Sequence, residues 1–146
     1  MRKVAVALTT PDRMEKHMPL FLESAKEHDA FRGGWEVMLL AQGCTTVQRA
    51  RLLNDPNVDV LADIWFTDEV ESCTAGRMKT MQRWWPSDLW LVLDDDMVFT
   101  SGTRYFSQFW QEYCFQPGVG TVSAPFQMNR GWHDKMVRRT EKRLGC

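Results

Sequence analysis

Cysteine is sparse and scattered in this chain of 146 residues. Cys44, Cys73, Cys114 and Cys146 form no CxxC pair and no Cys/His zinc spacing. Reduced thiols in a cytoplasmic protein are the expectation that follows, with a disulfide left open. No apolar run approaches transmembrane length. Met1-Arg2-Lys3 and the apolar Val4-Ala5-Val6-Ala7-Leu8 have the charge order of a signal peptide. The apolar part is too short, however, and Thr9-Thr10-Pro11 stands where a small-residue cleavage site belongs. A net charge of −1 supplies no field that would recommend nucleic acid or an anionic membrane as a partner. The phosphate-loop motif GxxxxGKS/T is missing, and so is a GxGxxG turn after the first apolar run. Asp12 stands too isolated to be the nucleophile of an aspartyl phosphatase. There is no internal repeat and no low-complexity segment.

What is present is an ordinary globular composition, 44% hydrophobic and 25% charged, of a size for one domain with a real core. Seven tryptophans are many for this length; most belong in a core, and a few are candidate platforms for a ligand. Short apolar runs alternate with helical patterns. Strands are expected over 3–9, 35–40, 58–62, 89–96 and 119–124. Helices are expected over 14–28, 47–53, 74–85 and 103–114. In the first helix Met14, Met18, Phe21, Leu22 and Ala25 recur at helical spacing, and Pro19 should kink it or move its start to about 18. In the helix over 74–85 the inward side is expected to carry Ala75, Met78, Met81, Gln82 and Trp85, and 63–72 reads as a loop. This alternation predicts a three-layer α/β/α fold with a mainly parallel twisted sheet, Rossmann-like in type. Right-handed crossovers then bring the ends of the first, second and fourth strands to one edge. Residues 1–126 form the expected domain. Residues 127–146, with six Lys/Arg against two acids, read as a basic tail or surface helix.

One stretch dominates the chemistry. Leu89-Trp90-Leu91-Val92-Leu93 runs into Asp94-Asp95-Asp96. A run so apolar reads as a strand buried on both faces, as in a parallel sheet covered by helices. Three adjacent carboxylates repel one another and need counter-charge. At the carboxyl edge of an α/β sheet a hard divalent cation carrying a phosphorylated ligand supplies it; a solvated acidic turn is the alternative.

Residues 3–126 resemble the nucleotide-binding half of a GT-A glycosyltransferase, of the inverting family 2 type. Three stretches carry the resemblance. Val4 through Arg13 is similar to the first strand and loop that hold the nucleobase. Glu36 through Thr45 is similar to the strand that ends in an Asp-Asp-Gly-Ser-Thr type of loop, and Trp90 through Asp96 is similar to the strand leading into the DxD motif. The resemblance implies a nucleotide-diphosphate sugar as donor, with UDP the expected nucleotide, and Mn²⁺ or Mg²⁺ as cofactor. The acceptor is a small molecule, glycan or protein hydroxyl. It places Thr9, Thr10, Pro11, Asp12, Arg13 and Gln42 near the nucleoside. Asp94 would meet the ribose or a metal-bound water, Asp96 the metal, and Asp95 the variable middle of the motif. Arg77 and Lys79 are candidate diphosphate contacts, or solvated helix charges.

The chain departs from the pattern in two places. Ala41-Gln42 stands where the family carries an acid, although Gln42 still offers a donor and an acceptor. The chain also ends soon after the fifth strand, which suggests a minimal or truncated member and makes a homo-oligomer plausible. The candidate base is Asp134, with Asp68, Glu69 and Glu71 as others, and His133 is a candidate third metal ligand. Trp132 is a candidate lid or an anchor for the tail. A binding module without transfer chemistry, or another metal-dependent α/β enzyme acting on phosphate esters, is the alternative function.

Overall fold

The computed structural model describes residues 1–100 and 117–118. The helix expected over 103–114, the strand over 119–124 and the tail over 127–146, with His133 and Asp134, lie outside the described residues. In chain order the elements are β1 (Lys3–Thr9), α1 (Pro11–Glu27), β2 (Trp35–Gln42), α2 (Thr46–Leu53), a 3₁₀ turn at Val58–Val60, β3 (Asp63–Thr67), α3 (Cys73–Arg83) and β4 (Leu89–Asp94). The four strands form one all-parallel sheet in the order β3-β2-β1-β4. Helices flank both faces, as the alternating pattern requires.

β1 lies at the centre because nearly every side chain in it is buried, which only a strand covered on both faces achieves. On one face Ala5, Ala7, Val37, Leu39 and Ala41 meet Met14, Met18, Phe21 and Leu22 of α1. The alanines at three of these strand positions leave room for the larger side chains of the helix. On the other face Val4, Val6 and Met38 pack with Trp84, flanked by Trp65 and Trp90. α1 starts at Pro11, earlier than either start expected for it, because proline at the first helical position loses no hydrogen bond and already has a helical φ. Pro19 sits inside the helix on its exposed side, where the carbonyl it leaves unpaired can face water.

Three expectations are corrected. The strand expected over 58–62 is a 3₁₀ turn, and β3 occupies Asp63–Thr67, inside the stretch expected to be a loop. The Asp55-Pro56-Asn57 turn continues through Val58 N–H to Asp55 O, Val60 N–H to Asn57 O and Leu61 N–H to Val58 O, so the valines cannot extend. β-prone Ile64-Trp65-Phe66 pairs with Leu39, Leu40 and Ala41 instead. The inward face of α3 is rotated from the expected one. Gly76 and Thr80 are buried, whereas Met78 and Trp85 are 59% and 69% exposed. A Cβ on Gly76 would lie 2.3 Å from Leu8 Cδ2, so a larger residue would force the Leu8 side chain or α3 to shift. β4 is not buried on both faces, since Leu93 is buried but Val92 is 42% exposed. α3 packs chiefly over β1 and β2.

Beyond β4 the chain turns through Asp95 and Asp96 and is pinned at Phe99. That ring is buried and meets Phe21 and Phe31 edge-on at 5.2 and 5.3 Å, while Phe99 N–H donates to Ser24 Oγ at 3.0 Å. The acidic turn is thus held at both ends. Phe99→Ala is expected to cost roughly 3–5 kcal/mol of stability, measured by urea denaturation, through the cavity left against α1.

Candidate functional site

The strand order fixes where a ligand can enter. From β1 the chain proceeds outward through β2 to β3, then returns to the opposite side of β1 for β4. The order therefore reverses between β1 and β4, and in open α/β sheets ligands bind outside the carboxyl ends of the strands at such a reversal. Leu8 is in register with Asp94, so Thr9 to Arg13 and Asp94 to Asp96 emerge side by side. The reading of the first, second and fourth strand ends as one edge holds.

The three carboxylates are not equivalent. The side chains of Asp94 and Asp96 are 64% and 50% exposed, whereas that of Asp95 is 2% exposed. Two arginines from opposite faces of the sheet answer them. Arg13, in the first turn of α1, donates through Nε and Nη2 to Asp95 Oδ1 at 2.8 and 2.5 Å, and its Nη2 lies 3.2 Å from Asp96 Oδ2. Arg77, on α3, donates to Asp94 Oδ1 at 2.9 Å. The hydrogen bonds to Asp95 and the charges of Asp95 and Asp96 push the Arg13 guanidinium further above its ordinary value, against a smaller effect of burial.

Among the described residues, three buried polar side-chain atoms lack a hydrogen-bond partner: Thr9 Oγ1, Arg77 Nε and Asp95 Oδ2. All three belong to this edge. Unsatisfied buried polar atoms are costly, and their concentration at one place marks a region shaped for something other than self-packing.

The neighbouring edge of β2 and β3 forms a cavity of about 310 Å³, lined by Gln42, Thr67, Asp68, Glu69, Glu71 and Lys79 among others. Gln42 is 2% exposed, and its Oε1 accepts from Glu71 N–H at 2.7 Å. A backbone N–H can only donate, so the oxygen of the amide is fixed on that side and the Nε2 donors are left for another partner. Lys79 donates to Glu71 Oε1 at 2.5 Å, on this side of the edge rather than at the triple Asp. Gly43, at φ +65°, turns the chain out of β2 and hands its N–H to Thr67 O; a Cβ there would lie 2.7 Å from Val70 Cγ2.

The loops are fastened to one another. Thr45 and Gln48 form a reciprocal capping box at the start of α2, and Gln48 Nε2 donates to Pro11 O at 3.2 Å. That bond ties the β2 loop to the β1 loop. Thr10 caps α1 only through its backbone carbonyl, which accepts from Arg13 and Met14 N–H, and Asp12 lies in the first turn. Cys44 is buried beneath this loop. Burial pushes its thiol up, opposed by the Arg49 charge, while Cys73 is exposed.

The structure therefore brings Thr9, Arg13, Arg77, Asp94, Asp95 and Asp96 to one edge of the sheet, with Gln42 and Lys79 in the adjoining cavity. Sequence reasoning did not find the Arg13–Asp95 pair, whose members are 82 positions apart; an Arg shortly after the first strand was its only signal. No group of three or more His, Cys, Asp and Glu among the described residues is arranged to hold a metal. The donor set still fits Mg²⁺ or Mn²⁺. Asp94 and Asp96 offer exposed hard oxygens, and such ions are commonly held by one or two carboxylates together with substrate phosphates.

Replacing Gln42 with Leu leaves Glu71 N–H without its acceptor and frees the segment after β3. The expected loss is about 1–3 kcal/mol in denaturation, with faster amide exchange at Glu71.

No protein-family model and no curated protein sequence matches this chain. In three dimensions it is similar to S. aureus TarS 1–349, with a TM-score of 0.51 and 17% identity over 89% of this chain and 40% of that one. The crystal structure of S. aureus TarS gives the same TM-score and identity over 89% of this chain and 24% of that one. S. aureus TarS 1–349 in complex with UDP gives 0.51 and 16% over 88% and 39%. The chain thus shares its fold with these structures and spans less than half of their length.

Proposed function

We propose that this chain is the donor-binding part of a metal-dependent glycosyltransferase of the GT-A type, which takes a nucleotide-diphosphate sugar, with UDP as the nucleotide. The observation that carries the reading is the Asp94-Asp95-Asp96 turn at the β1/β4 reversal, answered by Arg13 and Arg77. The fold shared with TarS, a glycosyltransferase, one of whose structures is a complex with UDP, supports it.

The charge balance explains why the site suits a cation together with an anion. Three carboxylates against two guanidinium groups leave the turn one positive charge short. A divalent ion at Asp94 and Asp96 would reverse the sign and favour a diphosphate. When bound, such an ion neutralises the charge that develops on the leaving nucleoside diphosphate. The chain's own residues do the rest. Phe99 and β4 hold the acidic turn rigid, so its carboxylates are placed before the ligand arrives. The start of α1, which has no side-chain cap, and the two arginines lie at this edge as donors for phosphate oxygens. The cavity beside Gln42 combines Asp68, Glu69 and Glu71 with Lys79 and suits a neutral, hydroxyl-rich or nucleoside part of the ligand rather than a second phosphate. On this reading Asp134 takes the proton of the acceptor hydroxyl and His133 joins the metal ligands.

Calorimetric titration of UDP with and without Mn²⁺ tests the proposal. The wild type should bind UDP at least about tenfold tighter with Mn²⁺, and Asp96→Asn should abolish that gain with little change in fold. Metal-independent UDP affinity, or an unaffected Asp96→Asn variant, would sink the assignment. Asp134→Asn should keep UDP binding yet lower UDP release from UDP-sugars by about 10²–10⁴-fold. Binding without any turnover in the wild type would make the chain a binding module.

A further inference from the structure

The middle acid has no natural place in a metal site that uses its neighbours. Its side chain is 2% exposed, and one of its oxygens takes both hydrogen bonds that Arg13 directs at it. The guanidinium is engaged on the Nε/Nη2 side alone, because Nη1 makes no hydrogen bond among the described residues, and the Arg13 side chain is 44% exposed. It is therefore a half-anchored fork. A buried carboxylate grips one edge, and the other edge carries no hydrogen bond among the described residues. The same Nη2 also touches Asp96, the exposed acid of the turn. The surroundings favour an anion at the open edge. Thr9 Oγ1 is buried without a partner, and α1, seventeen residues long, begins two residues before Arg13 with no side-chain cap.

We propose that Asp95 is a positioning residue that aims Arg13, and that Arg13 is a direct contact of the ligand's diphosphate. The inference rests on the function proposed above and departs from the roles that the family resemblance implied for two residues. Asp95 contacts neither ligand nor metal, and Arg13 serves phosphate rather than the nucleobase. In the free protein Arg13 shares its charge between Asp95 and Asp96. When a divalent cation occupies Asp96, the Asp95 anchor keeps the guanidinium in place while its remaining donors turn to the phosphate oxygens. Lysine could supply the charge but not the fork, since its ammonium is a point charge that cannot grip Asp95 and present a second edge at once.

A double-mutant cycle on UDP affinity in the presence of Mn²⁺, using the full chain, tests this. Arg13→Gln should weaken UDP at least about tenfold, as expected for a charge-assisted hydrogen bond, and Arg13→Lys should weaken it nearly as much. Asp95→Asn should weaken UDP about fivefold or more in the wild-type background and less than about twofold in Arg13→Gln, because it acts only through that residue. Equal losses from Asp95→Asn in both backgrounds, or wild-type affinity in Arg13→Lys, would overturn the proposal. If Arg13→Gln fails to fold because Asp95 is left buried and unpaired, the cycle is run on Arg13→Lys with the same criteria. A wild type that does not bind UDP contradicts the proposed function itself. A wild type that binds while the two substitutions act independently contradicts only the positioning role.

Discussion

Three consecutive carboxylates at the end of one strand are the constraint around which this edge is built. Left alone they would repel one another and drive the turn open. They are held because two arginines reach them from opposite layers, Arg13 from α1 and Arg77 from α3. Each arginine depends on features far from the acids. Arg13 is in place because α1 begins at Pro11, directly after β1, and because the register sets Leu8 beside Asp94. Arg77 is in place because Gly76 lets α3 approach Leu8 closely. Phe99 then closes the turn into the core beside Phe21.

Much of this edge was legible from residue pattern. The Val-rich run at Lys3 to Thr9 has one reading, and the apolar run that ends in three acids announces a strand delivering charge to a sheet edge. Parallel topology follows from alternation, and with it the meeting of Thr9, Gln42 and Asp94 at one end. What was not legible depended on tertiary choice. Val58 and Val60 favour a strand by propensity, but the turn hydrogen bonds before them win, and the chain extends only from Asp63. The phase of α3 follows small residues rather than large ones, since close approach to the sheet matters more than burying Met78. Asp95 seemed the least informative of the three acids, and burial makes it the best held. That distinction arises from the direction of a single turn and leaves no trace in composition.

The likeness to TarS and the local electrostatics are observations of different kinds. One concerns the path of the backbone, which unrelated chemistries can share. The other concerns charge, burial and orphaned polar atoms at the β1/β4 reversal. Binding of a metal and a diphosphate is argued from Asp94, Asp96, Arg13 and Arg77. Transfer to an acceptor belongs to the proposed function alone, which assigns it to Asp134.

The central claim is spatial, that a metal-bound nucleoside diphosphate sits in the β1/β4 crevice. A crystal structure of the chain grown with UDP and Mn²⁺, with anomalous data at the manganese edge, tests it most directly. The account predicts an anomalous peak at Asp96, with the diphosphate spanning it and Arg13, and the nucleoside directed toward Gln42. A manganese peak elsewhere, or UDP bound in the groove between α1 and α2 beside Met14 and Leu52, would contradict it.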